Sequence, residues 1–122
     1  MNSAWVYLII AGVFETGWAI GLELSDGFTK LVPSIATVIS MAISVVLLGR
    51  AVQSLPIGTV YAAWTGIGAT ATALLGILLF DETFSITRLG FIGFIVIGVA
   101  GLELSSRSQL VSQLALIPLL IE

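Results

Sequence analysis

The 122-residue chain has no cysteine and no histidine. The first absence excludes disulfides and thiol chemistry, and the two together exclude the usual zinc sites and histidine acid–base catalysis. Charge is also scarce. Four basic and seven acidic residues make up 9% of the chain and leave a net charge of −3, where an ordinary soluble domain carries roughly 25% charged residues. No basic run exists to hold nucleic acid. What remains is apolar: 58% of residues are hydrophobic and the mean hydropathy is +1.18. So few polar residues do not cover a soluble globule. A typical cytosolic enzyme is therefore excluded, and no metal or cofactor is expected.

A helical membrane span needs about 20 mostly apolar residues. Four runs qualify, at about 4–22, 31–48, 58–80 and 89–104. Between them lie ELSDGFTK (23–30), GRAVQSLP (49–56) and DETFSITR (81–88), which collect charges and turn formers. A transmembrane barrel would show alternating segments of about ten residues, not continuous runs. The expected fold is all-α, with four transmembrane helices in one domain over 1–105. The first run is not read as a signal peptide, because it lacks a basic leader and carries Glu15 within its apolar part. Residues 106–122 are expected to be a C-terminal tail of no assigned role, whose apolar part is too short to span and in which Pro118 should break a helix.

Orientation normally follows the Lys/Arg bias of short loops. Here Arg50 and Arg107 fall on one side, and Lys30 and Arg88 on the other. With no bias, insertion in both directions is favoured, and two copies can pair antiparallel. Such a pair imitates the inverted repeats that larger transporters carry in one chain.

Glu15 lies near the middle of the first run, whereas every other charge sits at a run's end, in a loop or in the tail. An ionisable group inside a span costs on the order of 2.5–3.5 kcal/mol, so its default reading is functional. It can trade a proton for a cation; the bland alternative is a protonated acid hydrogen-bonded to a neighbouring helix. Helical spacing puts Gly12, Trp18 and Ala19 on its face. Tyr61 and Trp64 share a face of the third run, with Gly68 one turn on, and Ser40 and Ser44 share a stripe of the second with Thr37. A carboxylate among indoles, a phenol and a hydroxyl suits a small organic cation, through charge and cation–π attraction. Taken singly, the aromatics also fit packing or an interfacial belt.

Three segments together resemble the small multidrug resistance family of four-helix exporters over about residues 4–105. LPIGTVYAAWTGIG (55–68) is similar to the family's third-helix signature, AGVFETGWAIGLELSDGFT (11–29) to its first helix with a single Glu, and GFTKLVPS (27–34) to the entry of its second. The resemblance implies an antiparallel homodimer in a prokaryotic cytoplasmic membrane that exchanges protons for cations by alternating access. It implies that Glu15 of each copy forms the shared proton and substrate site, lined by Ser44, Tyr61 and Trp64. Gly66 and Gly68 fall on the third-helix bend, where glycine relaxes the helix. Gly90, Gly93, Gly98 and Gly101 give the fourth span a small-residue face, read as the dimer contact or else as close packing within one protomer.

The family has two main subtypes. Trp18, in FETGWAIGL (14–22), resembles the subtype that exports guanidinium and small guanidinyl cations; the multidrug subtype carries a small or hydroxyl residue there. A carboxylate can grip the planar guanidinium fork in bidentate fashion, and indole, phenol and Ser44 donors are expected to hold the glutamates in place for it. The chain departs from the family at Glu23, Asp81 and Glu103, where members often carry a base, which makes the membrane margins acidic. The expected function is proton-coupled guanidinium export. Rivals are a quaternary ammonium exporter of the same family, a non-transporting proteolipid-type subunit, and half of a lipid-carrier flippase.

Overall fold

The computed structural model describes residues 3–121, and their side chains except at 106–115, 117 and 119–121. Four helices follow one another: α1 (Ser3–Ser25), α2 (Leu31–Ala51), α3 (Ile57–Leu79) and α4 (Ile86–Ile121). All four contain a stretch long and apolar enough to cross a membrane, that of α4 being Ile86–Ser105. No strand occurs among the described residues. The connections are short, so consecutive helices run antiparallel and α1 begins on the side where α4 leaves its apolar stretch.

Local chemistry sets the helix ends. Ser25 closes α1: its hydroxyl donates to the Leu22 carbonyl at 2.8 Å and accepts the Phe28 N–H at 3.1 Å. The chain then turns through Asp26, Gly27 and Phe28, all with positive φ of 50°, 70° and 66°. Gly27 relieves that turn, because glycine enters the left-handed region without steric penalty. Pro33 sits in the first turn of α2, where its missing N–H is tolerated. Pro56 precedes α3 in an extended conformation. Ser85 caps α4 by accepting the Arg88 N–H at 3.0 Å, so this helix starts three residues before the apolar run at 89 suggests.

Pro118 does not end the helix as expected: α4 continues through it to Ile121. The ring removes one ladder bond, and it does so three residues from the helix end, where little ladder remains to lose. The role of 106–122 falls outside the described side chains.

α1 is the axis of the bundle, packed along α2 and against α3, while α4 leans on α3. A third of α1's apolar window is buried (33%), against 6% for α4. Two kinds of packing hold the helices. Toward the end where α1 begins, Trp5, Leu8, Ala51, Val60 and Ala63 form an apolar cluster, covered by Leu55, Val99 and Leu102. Toward the other end, α1 and α2 approach through small residues: Gly17 faces the Ser40 hydroxyl, and Gly21 lies directly on Thr37. Thr37 is fully buried there, and Ser44 is fully buried nearer the apolar cluster, in a membrane helix pair where small and hydroxyl residues replace bulk. Large apolar side chains such as Val13, Val32, Leu78, Phe91 and Phe94 point outward, as a bilayer solvent allows.

Candidate functional site

Glu15 stands at mid-height of α1, half-buried, and its carboxyl lies on the backbone of Gly68 in α3. A Cβ at Gly68 would overlap that carboxyl group. Glycine at 68 therefore makes the room in which the acid sits. One turn earlier, Gly12 of α1 accepts the Ile67 side chain of α3 in the same way. Among the described residues, the buried Oε2 of Glu15 has no hydrogen-bond partner, and neither has the indole N–H of half-buried Trp18, one turn along α1. Such orphans are expensive in an apolar medium and mark places where a further group completes the bonding.

The lining residues form a second, linked cluster. Trp64 donates its indole N–H to the Ser44 hydroxyl at 3.0 Å. Ser44 in turn donates to the Ala11 carbonyl of α1 at 2.7 Å. This chain ties α3 to α2 to α1. Its endpoint matters, because the carbonyl of Ala11 is the one that the backbone N–H of Glu15 meets in a regular helix. Tyr61 packs edge-on against Trp64, with ring centroids 5.6 Å apart and planes at 62°, yet it is 58% exposed.

Ser44, Tyr61 and Trp64 thus come together in one cluster and Glu15 lies on Gly68, but the two are not joined by the bonding expected of them. Within one protomer, the Ser44 and Trp64 donors are spent on each other and on backbone, and they do not reach the Glu15 carboxyl. A hydroxyl that receives one indole proton and gives its own to a carbonyl has no proton left for a carboxylate. The chain fixes the helix that carries Glu15, and it leaves the acid's own bonding open.

Gly66 and Gly68 both sit inside an uninterrupted α3, and both are buried. A Cβ at Gly66 would meet Val99 and Ile95 of α4. Close approach of a neighbouring helix is their role in this structure. The four glycines of α4 differ. A Cβ at Gly90, Gly93, Gly98 or Gly101 would meet nothing within 4 Å, so packing within one protomer does not account for them.

The role of Gly68 as the bed of Glu15, and the Gly21–Thr37 approach, were not read from the sequence. The first required knowing which face of α3 meets α1. The second had a visible signal in the spacing of Gly17 and Gly21, four apart on one helix face. The three acidic departures lie at the helix margins: Glu23 and Asp81 are exposed, and Glu103 is half-buried.

Comparison with known proteins agrees with this architecture. The model of the small multidrug resistance proteins matches residues 3–97. A guanidinium exporter of Yersinia pseudotuberculosis is 54% identical over 103 residues, covering 84% of this chain and 99% of that protein. Guanidinium exporters of Citrobacter freundii and Salmonella typhimurium are each 50% identical over 104 residues, covering 85% of this chain and 99% of theirs. A four-helix membrane bundle with one acid at mid-span, matched at this level along nearly all its apolar length, belongs to the small multidrug resistance family. It is a multi-pass protein of the bacterial inner membrane.

Proposed function

We propose that the chain exports guanidinium and small guanidinyl cations in exchange for protons. The observation that carries this is the Glu15 carboxyl, half-buried at mid-span on Gly68, with an oxygen that no described group satisfies. Trp18 one turn away and the guanidinium exporters among the relatives support the choice of cation. A guanidinium fork supplies donors for carboxylate oxygens.

In this reading two copies insert in opposite directions, as the even split of Lys and Arg permits. They meet through the glycine face of α4, whose Cβ positions are open. The two Glu15 carboxyl groups share one chamber, bordered by Trp18, Ser44, Tyr61 and Trp64. Guanidinium occupies it when the acids are ionised, and protons expel it. Because the two cannot occupy the acids together, an inward proton gradient drives outward cation movement. Alternating access tilts the helices about α3 near Gly66 and Gly68, where the missing side chains permit sliding of α1 and α4.

Electrical recordings from supported membranes carrying the purified protein test this. A guanidinium concentration jump should give a transport current, and tetraethylammonium should give a much smaller one. Glu15→Gln should abolish the guanidinium current. A full-sized current from that variant would refute the assignment, and a larger tetraethylammonium response would shift it to the quaternary ammonium subtype.

A further inference from the structure

The hydroxyl groups of Tyr61, Thr65 and Thr72 in α3 have no hydrogen-bond partner among the described residues. Thr16 and Thr37, by contrast, donate to the carbonyl one turn back, of Gly12 at 3.0 Å and of Pro33 at 2.7 Å. At 100° per residue the three unbonded hydroxyl residues lie within about 40° of one another, and within about 60° of Gly68, the bed of the Glu15 carboxyl. Thr65 stands about 5 Å along the axis on one side of Gly68, and Thr72 about 6 Å on the other. The neighbouring helices meet other faces of α3: Trp64 bonds α2, Ile67 packs on α1, and Gly66 meets α4. Tyr61 and Thr65 are accordingly exposed, and Thr72 is half-buried.

This lane is polar only in its middle. Ile57 and Leu79 lie on the same face at the two ends of α3, and both are exposed. A face turned to lipid has the opposite order, with polar groups at the margins and none at mid-span. An unbonded hydroxyl there is costly, so the lane faces a bonding partner. A guanidinium ion carries N–H donors around its edge and no acceptor, and a hydroxyl accepts through its lone pairs. Acceptors on both sides of the acid let such an ion trade water for protein groups as it moves to and from the carboxylate. The other taker of these bonds is a helix of a second copy.

We infer that Thr65 and Thr72 are substrate-binding residues, whose hydroxyls accept N–H bonds from guanidinium on either side of Glu15. Tyr61 extends the lane past Thr65. The inference rests on the exchange proposed at Glu15 and adds to it the path of the ion. Thr65 serves the side on which α3 begins, and Thr72 the side on which it ends. A quaternary ammonium ion has no N–H to give and gains nothing from the lane.

Initial rates of guanidinium exchange in proteoliposomes of the purified full chain test this, with Thr65→Val and Thr72→Val as the variants. Valine keeps the shape of threonine and removes the hydroxyl. In each variant kcat/KM for guanidinium should fall about five- to tenfold, the worth of one charge-assisted hydrogen bond at a half-wet site. Thr65→Ser and Thr72→Ser should restore it. Thr70 supplies the control: its buried hydroxyl is also unpartnered, but it lies about 140° or more around α3 from the lane. Thr70→Val should transport guanidinium like the unaltered protein. Unchanged kcat/KM in either lane valine variant overturns the proposal. So does a loss that serine does not restore, or one that Thr70→Val equals. A loss accompanied by a shift toward monomer in crosslinking overturns it too, and gives the hydroxyls to a second copy. Absence of exchange by the unaltered protein refutes the Glu15 reading itself, and this one with it.

Discussion

The buried glycines of α1 and α3 and the glycines of α4 are the same residue in opposite surroundings. A methyl group added at Gly12, Gly21, Gly66 or Gly68 would enter a neighbouring side chain, whereas one added at Gly90, Gly93, Gly98 or Gly101 would meet open space. The first set lets helices of one protomer touch. The second leaves an open small-residue face, with no described side chain against it. Within the first set there is a further division. Gly66 faces the β-branched side chains of Val99 and Ile95, and Gly21 faces that of Thr37; these are stiff and must move with their helices. Gly68 faces the far end of the flexible Glu15 side chain. Crowding there moves the functional group and spares the fold.

Substitutions turn this comparison into numbers. Gly68→Ala should have the largest effect on transport, lowering guanidinium flux by roughly 10- to 100-fold through displacement of the Glu15 carboxyl. Its unfolding midpoint in detergent should hardly change; a variant that unfolds early would place Gly68 with the purely structural glycines. Gly66→Ala and Gly21→Ala should instead lower stability by about 1–3 kcal/mol, as overpacking does, and denaturant titrations of the purified variants would measure that loss. Ser44→Ala should cost about 1 kcal/mol, because the half-buried Trp64 indole N–H loses its acceptor. The 295-nm fluorescence of Trp64, isolated in a background lacking the other tryptophans, would report the change. Gly98→Ala should have the smallest effect on the protomer, within about 0.5 kcal/mol. Its effect should fall on association, seen as a shift toward monomer in chemical crosslinking. Unaltered crosslinking would remove the α4 glycines from the contact between copies.

Much of the fold was legible because bilayer physics leaves few options. Continuous apolar runs separated by short polar breaks admit only helices, and their ends fell within three residues of those observed, except at α4. There the cap at Ser85 and the continuation past Pro118 depend on local hydrogen bonds that hydropathy does not report. Glu15 was legible as the one charge at mid-span. Its bed on Gly68 was not, since helical periodicity tells which residues share a face but not which face meets which helix. The hydrogen-bond chain from Trp64 through Ser44 to Ala11 was hidden for the same reason: its final acceptor is a backbone carbonyl, which every residue has.

The central claim is that one acid per chain takes a proton or a guanidinium ion, never both. Mixing guanidinium with the purified protein in weakly buffered detergent, with a pH dye as reporter, tests it most directly. The account predicts that binding releases protons from the unaltered protein and none from Glu15→Gln. Saturable guanidinium binding without proton release would contradict it.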